Sequence, residues 1–106
     1  MKLQEIRDFL LEITLNVYHY KAWQQHDTYI VWAEDGESDA VHGDNRKQKQ
    51  ILDVTIDVFT KTEYDPIIEQ LQQAFNDRGI PFELLSIQYE DDTGYIHYEY
   101  LIQAVI

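Results

Sequence analysis

The order of apolar and polar positions along this chain predicts two amphipathic helices. In residues 2–13 apolar side chains recur every three or four positions, which is the spacing of one helix face: Leu3, Ile6, Phe9, Leu10 and Ile13. A second helix is expected to begin at Asp65 and Pro66, because aspartate caps backbone N–H groups and proline suits the first helical turn. Its apolar stripe comprises Ile67, Ile68, Leu71, Ala74 and Phe75. Gly79 is expected to end it, since glycine readily adopts the left-handed C-terminal conformation.

Five further segments show the pattern of β-strands. They are residues 14–20, 29–33, 52–58, 82–90 and 95–104. The third is the clearest, because its apolar positions alternate strictly with Asp53, Thr55 and Asp57. Residues 91–94 end in Gly94 and predict a tight turn, so the last two strands form a hairpin. The final strand places Tyr98 and Tyr100 on one face and Tyr95 on the other.

Residues 34–50 are expected to form a long loop or an extended hairpin arm that opens with a turn at residues 34–36. Acidic residues lead this segment and basic residues close it. The acidic half contains Glu34, Asp35, Glu37, Asp39 and Asp44, and the basic half contains Arg46, Lys47 and Lys49.

The order α-β-β-β-α-β-β predicts one two-layer α+β domain over residues 1–106. Its sheet is expected to be mixed or antiparallel, with five strands and with both helices on one face. The third strand, the second helix and the fourth strand form a crossover unit. This connection should be right-handed if the two strands are parallel.

Charge and composition narrow the classes of function. Twenty acidic residues against eight Lys and Arg give a formal net charge of −12. Nucleic acid and anionic membranes are therefore not expected as direct partners, because phosphate binding needs clustered cations. The chain has no cysteine, which excludes disulfides, thiolate metal ligands and a cysteine nucleophile. No continuous apolar segment is long enough to span a membrane, so an acidic intracellular domain is expected.

The residues that could carry catalysis show no recognisable motif. The four histidines lack metal-binding spacing: His19, His26, His42 and His97. Neither Ser38 nor Ser86 lies in a nucleophile elbow, and the chain contains no phosphate-binding glycine loop. We therefore expect no enzyme activity, no cofactor and no metal site.

Tyrosine content and the mixed-charge segment indicate contacts between subunits instead. Eight tyrosines in 106 residues is a high content, and tyrosine suits surfaces that are apolar with a wet edge. Tyr95, Tyr98 and Tyr100 are therefore candidate interface residues. In a cyclic oligomer the acidic half of residues 34–50 could meet the basic half of a neighbour, so the eight charged residues named above are candidates too.

Three segments of the chain resemble small proteins of tailed phages and prophages of Gram-positive bacteria. These segments are residues 29–36, residues 60–66, and residues 88–99, whose sequence is Gln-Tyr-Glu-Asp-Asp-Thr-Gly-Tyr-Ile-His-Tyr-Glu. The family that the chain resembles is the tail terminator family, also called tail completion or tail-to-head joining proteins. The resemblance covers nearly the whole chain and rests on residue pattern and element order.

This resemblance implies a structural protein with a sheet flanked by helices. Such proteins form an oligomeric ring, typically a hexamer, that caps the tail tube and presents a surface to the neck. The implied partners are further copies of the chain, the tail-tube protein and a neck protein. The implied location is the virion tail, after assembly in the cytoplasm of the bacterial host, with no membrane and no sequence-specific nucleic acid involved.

Two other functions remain open at this point. One is a head-completion or adaptor protein of the phage neck, which is the same class of protein at another position in the virion. The other is an acidic inhibitor that mimics DNA or neutralises a nuclease, which the charge of −12 would suit.

Overall fold

A computed structural model describes residues 1–38 and 50–106 of the chain. Two helices and five strands follow one another in the predicted order. They are α1 (Leu3–Ile13), β1 (Val17–His19), β2 (Thr28–Glu37), β3 (Ile51–Thr60), α2 (Ile67–Asp77), β4 (Glu83–Tyr89) and β5 (Ile96–Val105). The order confirms the α+β class.

The five strands form one mixed sheet in the spatial order β1-β2-β3-β5-β4. β1 runs parallel to β2, and the other neighbouring pairs are antiparallel. β5 lies between β3 and β4, so the two strands joined through α2 share a direction without being neighbours. The connection through α2 therefore skips one strand position.

Both helices pack on the same face of the sheet and share one core with it. α1 contributes Ile6, Phe9 and Leu10, and α2 contributes Ile67, Leu71, Ala74 and Phe75. The sheet contributes every second residue of its three central strands, because alternate strand residues share a face: Ile30, Trp32, Val54, Ile56, Val58, Tyr100, Ile102 and Ala104. Each large apolar side chain buried here stabilises the fold by roughly 1.5–3 kcal/mol.

The ends of α2 and the last turn form as the sequence predicts. The Asp65 Oδ1 accepts a hydrogen bond from the backbone N–H of Ile67 at 3.0 Å. At the other end Gly79 has a φ of +64°, and the N–H of Ile80 returns to the carbonyl of Phe75 at 2.8 Å. In the hairpin Gly94 has a φ of +80° and donates to the carbonyl of Glu90, also at 2.8 Å.

The structure corrects the predicted ends of two strands. β1 is confined to Val17–His19, because Thr14 ends α1 and Tyr20 adopts a φ of +72°. β2 continues through Glu37, so the turn predicted at residues 34–36 is wrong. A β-bulge between Glu34 and Gly36 accommodates Asp35, and the strand then resumes pairing with β3. The rest of the predicted loop, residues 39–49, lies outside the described residues.

Candidate functional site on the uncovered face of the sheet

The face of the sheet turned away from the helices carries most of its polar side chains. In β3 the half-buried Asp53, Thr55 and Asp57 alternate with buried core residues, as the sequence pattern predicts. The cross-strand partners of Asp57 are Val31 on β2 and Glu99 on β5. This face is therefore built from three adjacent strands, and it divides into an aromatic part and an acidic part.

The aromatic part forms a second, smaller core at one end of the face. We call it the aromatic cluster, and it comprises Tyr18, His26, Tyr29, Phe59, Tyr95 and His97. Tyr29 stacks on Phe59 with 4.9 Å between ring centroids and meets Tyr95 edge-on at 5.6 Å. The Tyr95 hydroxyl donates to the carbonyl of His26 at 2.7 Å. The cluster therefore holds the connection between β1 and β2 against the sheet.

The acidic part consists of four carboxylates, which we call the acidic row: Asp35, Asp53, Asp57 and Glu99. The hydrogen-bond partners of these carboxylates are neutral polar side chains and one histidine. Thr55 donates to Asp35, and the Gln103 Nε2 lies 3.5 Å from Asp53. Within residues 1–38 and 50–106 no Lys or Arg forms an ion pair with the row. Among these residues His97 is therefore the basic side chain that contacts the row, through Asp57.

Asp57 and His97 form the most constrained pair on this face. The His97 Nε2 lies 2.8 Å from the Asp57 Oδ1, and the histidine ring stacks on Phe59 at 4.3 Å. Burial raises the pKa of Asp57, and the nearby charges of Glu99 and Asp35 raise it further. The hydrogen bond and the charge of His97 act in the opposite direction without cancelling these effects. His97 therefore partly offsets the effect of Glu99 and Asp35 on the pKa of Asp57.

Among residues 1–38 and 50–106, the row is not joined by a nucleophile in contact with His97 or by a third metal ligand. A His–Asp pair serves nucleophilic catalysis only when the histidine also contacts a nucleophile. The nearest serine on the face, Ser86, contacts Glu99 at 3.5 Å instead. In the described part of the chain no three His or acidic residues converge on a position that could hold a metal ion. The row places several negative charges on the sheet face opposite the helices.

The structure places the three candidate tyrosines mainly in the interior of the folded chain. Tyr100 is fully buried in the helix-facing core, and its hydroxyl accepts a hydrogen bond from Gln72 at 2.8 Å. Tyr95 is 5% exposed and belongs to the aromatic cluster on the opposite face, as strand alternation predicts. Tyr98 is half-buried against the main core. Tyr95 and Tyr100 are therefore not part of the surface of the folded chain.

The charged candidates of residues 34–50 fall into two groups. Glu34 pairs with His19 at 2.9 Å, Asp35 belongs to the acidic row, and Glu37 accepts from Gln50 at 3.2 Å. All three lie on β2 rather than in a free loop. The other candidates lie outside the described residues: Asp39, Asp44, Arg46, Lys47 and Lys49.

The aromatic cluster and the Asp57–His97 pair are the features that sequence reasoning missed. One signal was available, because Phe59 occupies the polar side of the alternation that runs through Asp53, Thr55 and Asp57. A large aromatic residue at such a position indicates that this end of the face is covered. The cross-strand registers that bring His97 beside Phe59 and Glu99 beside Asp57 come only from the folded sheet.

Comparisons with known proteins do not assign a family. Neither a scan of protein-family models nor a search of curated proteins gives a match to this chain. Neither α1 nor α2, the two helices of the described residues, is long and apolar enough to cross a membrane.

Proposed function

We propose that this chain is a structural subunit of the tail-terminator type in a tailed phage. It caps the tail tube as an oligomeric ring and joins the tail to the head through a neck protein. Its place is the virion tail, and it acts without catalysis, cofactor or membrane attachment. The sequence resemblance is one support, and the α+β fold agrees with what that resemblance implies.

The acidic row is the observation that carries the proposal. DNA that passes through a ring should meet a wall that repels its phosphates, since basic side chains would bind and retain it. The row offers four carboxylates on the sheet face that the helices do not cover, with no Lys or Arg paired to them among the described residues. We therefore assign this face to the channel of the ring, where repulsion acts within roughly 8 Å at physiological salt.

Tube assembly tests the proposal directly. Purified chain is added to the polymerising tail-tube protein of its own phage, and tube lengths and ends are recorded by electron microscopy. We expect shorter tubes, each with extra density at one end. An unchanged length distribution with bare ends would contradict the proposal. Binding to the portal or neck complex alone would assign the chain to the neck adaptors instead.

A charge-neutral variant tests the role of the acidic row. The triple substitution Asp53→Asn, Asp57→Asn and Glu99→Gln keeps the side-chain shapes and removes three charges. Capped tubes should still form, whereas DNA should be retained in the channel and leave the particle more slowly. The matched control neutralises three exposed acids on the helices: Glu5→Gln, Asp8→Asn and Glu69→Gln. Equal DNA release from both variants would remove the channel assignment.

The same row also favours a second function, inhibition of a nuclease by DNA mimicry. Carboxylates spread over an open face can occupy a basic DNA-binding groove. In that case the triple variant would lose inhibition of a DNA-cleaving enzyme and the chain would leave tube length unchanged. The two assays therefore separate the two functions.

A further inference from the structure

The two opposite edges of the sheet expose most of the large apolar side chains at the surface. At one edge, around β1, Leu15, Tyr20 and Trp23 are 85%, 62% and 82% exposed. At the other edge, in β4, the exposed residues are Leu84, Leu85, Ile87 and Tyr89. Seven of the ten exposed large hydrophobic residues in the described chain thus lie at these two edges. Apolar patches of this kind mark interaction sites on soluble proteins.

The exposed aromatic residues of the β1 edge contact neighbouring side chains. The ring of Tyr20 stacks on His19 at 3.8 Å, and His19 in turn stacks on Trp32 at 3.8 Å. The Lys21 Nζ lies 5.5 Å from the centre of the Trp23 ring. Side chains that are ordered before binding lose less conformational entropy in a complex, which favours association.

The β4 edge offers a complementary depression. Ile87, Tyr89 and Ile96 line an open cavity of about 630 Å³ together with Lys61 and Glu63. A β-bulge at Leu85 interrupts the ladder of β4. Bulges at an edge disfavour indiscriminate strand addition, so we expect a contact made by side chains rather than a continuous sheet.

The two edges also differ in charge. Residues 13–26 contain no acidic residue, although the chain has 20, and they include Lys21. Residues 83–92, which contain β4 and the start of the turn after it, hold four acidic residues and no Lys or Arg: Glu83, Glu90, Asp91 and Asp92. In the cavity beside β4, Lys61 and Glu63 are of opposite charge. Joining two β4 edges would bring like charges together, whereas joining a β1 edge to a β4 edge would bring opposite charges together.

We infer that the β1 edge of one copy of this chain binds the β4 edge of the next copy, head to tail. The edges are four strand spacings apart, about 19 Å, so one subunit can hold two neighbours at once. A head-to-tail contact produces a ring when its rotation closes. The contact deepens the proposed function by naming the ring interface, and it rests on that function only for ring closure.

Two variants that each block one edge test this interface. Trp23→Asp adds an acid to the β1 edge, and Ile87→Asp adds one to the β4 edge. Both side chains are largely exposed, so both variants should fold, and thermal unfolding checks this. The matched control is Ile106→Asp, because Ile106 lies beyond β5 with the same 56% exposure as Ile87.

Analytical ultracentrifugation up to about 1 mM chain measures the association. The wild type and the Ile106→Asp control should associate, more strongly at low salt. Each blocked variant should lose at least about tenfold in association constant, as central aromatic and aliphatic anchors do. A mixture of Trp23→Asp and Ile87→Asp should form a one-to-one dimer and no larger oligomer, because each variant keeps one intact edge. Association that Trp23→Asp leaves unchanged would overturn the inference, as would a wild type that stays monomeric.

Disulfide trapping gives a second readout. Because the chain has no native cysteine, disulfides form only between the introduced cysteines. Leu15→Cys, two residues before β1, marks the β1 edge and Gln88→Cys marks the β4 edge, both at exposed positions. A mixture of the two should yield mainly the mixed cross-linked dimer. Dominant Gln88→Cys homodimers would show pairing of like edges and overturn the inference. Edge-dependent association without tube capping would instead retain the interface and reject the tail function.

Discussion

Asp65 joins the end of β3 to the start of α2 through its hydrogen bonds, and its replacement should destabilise the fold. The Asp65 Oδ2 accepts hydrogen bonds from the hydroxyls of Thr60 at 2.6 Å and Thr28 at 3.0 Å. The Oδ1 accepts from the N–H of Ile67 at 3.0 Å. Thr60 is 1% exposed, so its hydroxyl depends on protein partners.

The expected cost of Asp65→Ala follows from these contacts. Loss of a helix N-cap costs about 1 kcal/mol. The Thr28 and Thr60 hydroxyls lie 3.0 Å apart and can then bond to each other, so one of the two is left without an acceptor, which costs a further 1–3 kcal/mol or so. We therefore expect a loss of about 3 kcal/mol, which is a large part of the 5–15 kcal/mol or so that stabilises a typical domain. Asp65→Asn should cost about half as much, because asparagine caps helices nearly as well but offers one acceptor oxygen.

The pH dependence of this loss tests its cause. Burial alone would raise the pKa of Asp65, but the hydrogen bonds from Thr60, Ile67 and Thr28 outweigh it and lower the pKa below 3.8. A carboxylate with a lowered pKa stabilises the fold above its unfolded pKa and loses that effect as the pH falls through its folded pKa. The difference between wild type and Asp65→Ala should therefore narrow below about pH 3.8.

Urea unfolding monitored by circular dichroism, repeated from neutral to acidic pH, measures both quantities. Glu63→Ala is the matched control, since Glu63 is an exposed acid two residues away. Its loss should be within about 0.5 kcal/mol of zero. The reasoning fails if Asp65→Ala costs less than about 1 kcal/mol at neutral pH, or if its cost does not change with pH.

Three further changes are expected to have smaller effects on unfolding by urea. Tyr100→Phe removes the acceptor of the Gln72 hydrogen bond and should cost about 1 kcal/mol; no loss would mean that this bond contributes nothing. Asp57→Asn should stabilise slightly at pH 7, because the raised pKa of Asp57 means that its charge opposes folding there. This gain should shrink as the pH falls toward 4, and a destabilised variant at pH 7 would contradict it. Gly94→Ala should lower the free energy of unfolding by about 1–2 kcal/mol, because alanine is strained at a φ of +80°. No other atom obstructs a methyl group there, so a variant of unchanged stability would contradict this backbone strain.

Local chemistry made the helices and the last hairpin predictable. Asp65, Gly79 and Gly94 each perform the backbone role that their residue type favours, and the apolar stripe of α2 is the stripe that is buried. The sequence could not indicate that β2 continues past Glu34. Acidic residues and a glycine are typical of a turn, whereas here a bulge and the facing strand β3 keep them in the sheet.

The candidate site was less predictable than the fold, because its properties come from pairing between distant segments. Tyrosine is a residue type that is common in interfaces, and only the strand registers and the packing of α2 show that Tyr95 and Tyr100 are interior. One face of β5 packs against the helices, and the other face packs against His26 and its neighbours. Strand alternation separates the two tyrosines but cannot reveal that both faces are covered.

The central position of β5 has a consequence for how the chain folds during synthesis. β5 lies between β3 and β4, yet it is the last of these strands to leave the ribosome. Until it is inserted, β3 lacks one neighbour and β4 has none, so α2 has only part of its packing surface. Such non-local pairing slows folding and leaves apolar strands exposed in the meantime. We expect stable tertiary structure to appear only when β5 is complete, and nascent chains that lack it to depend on chaperones.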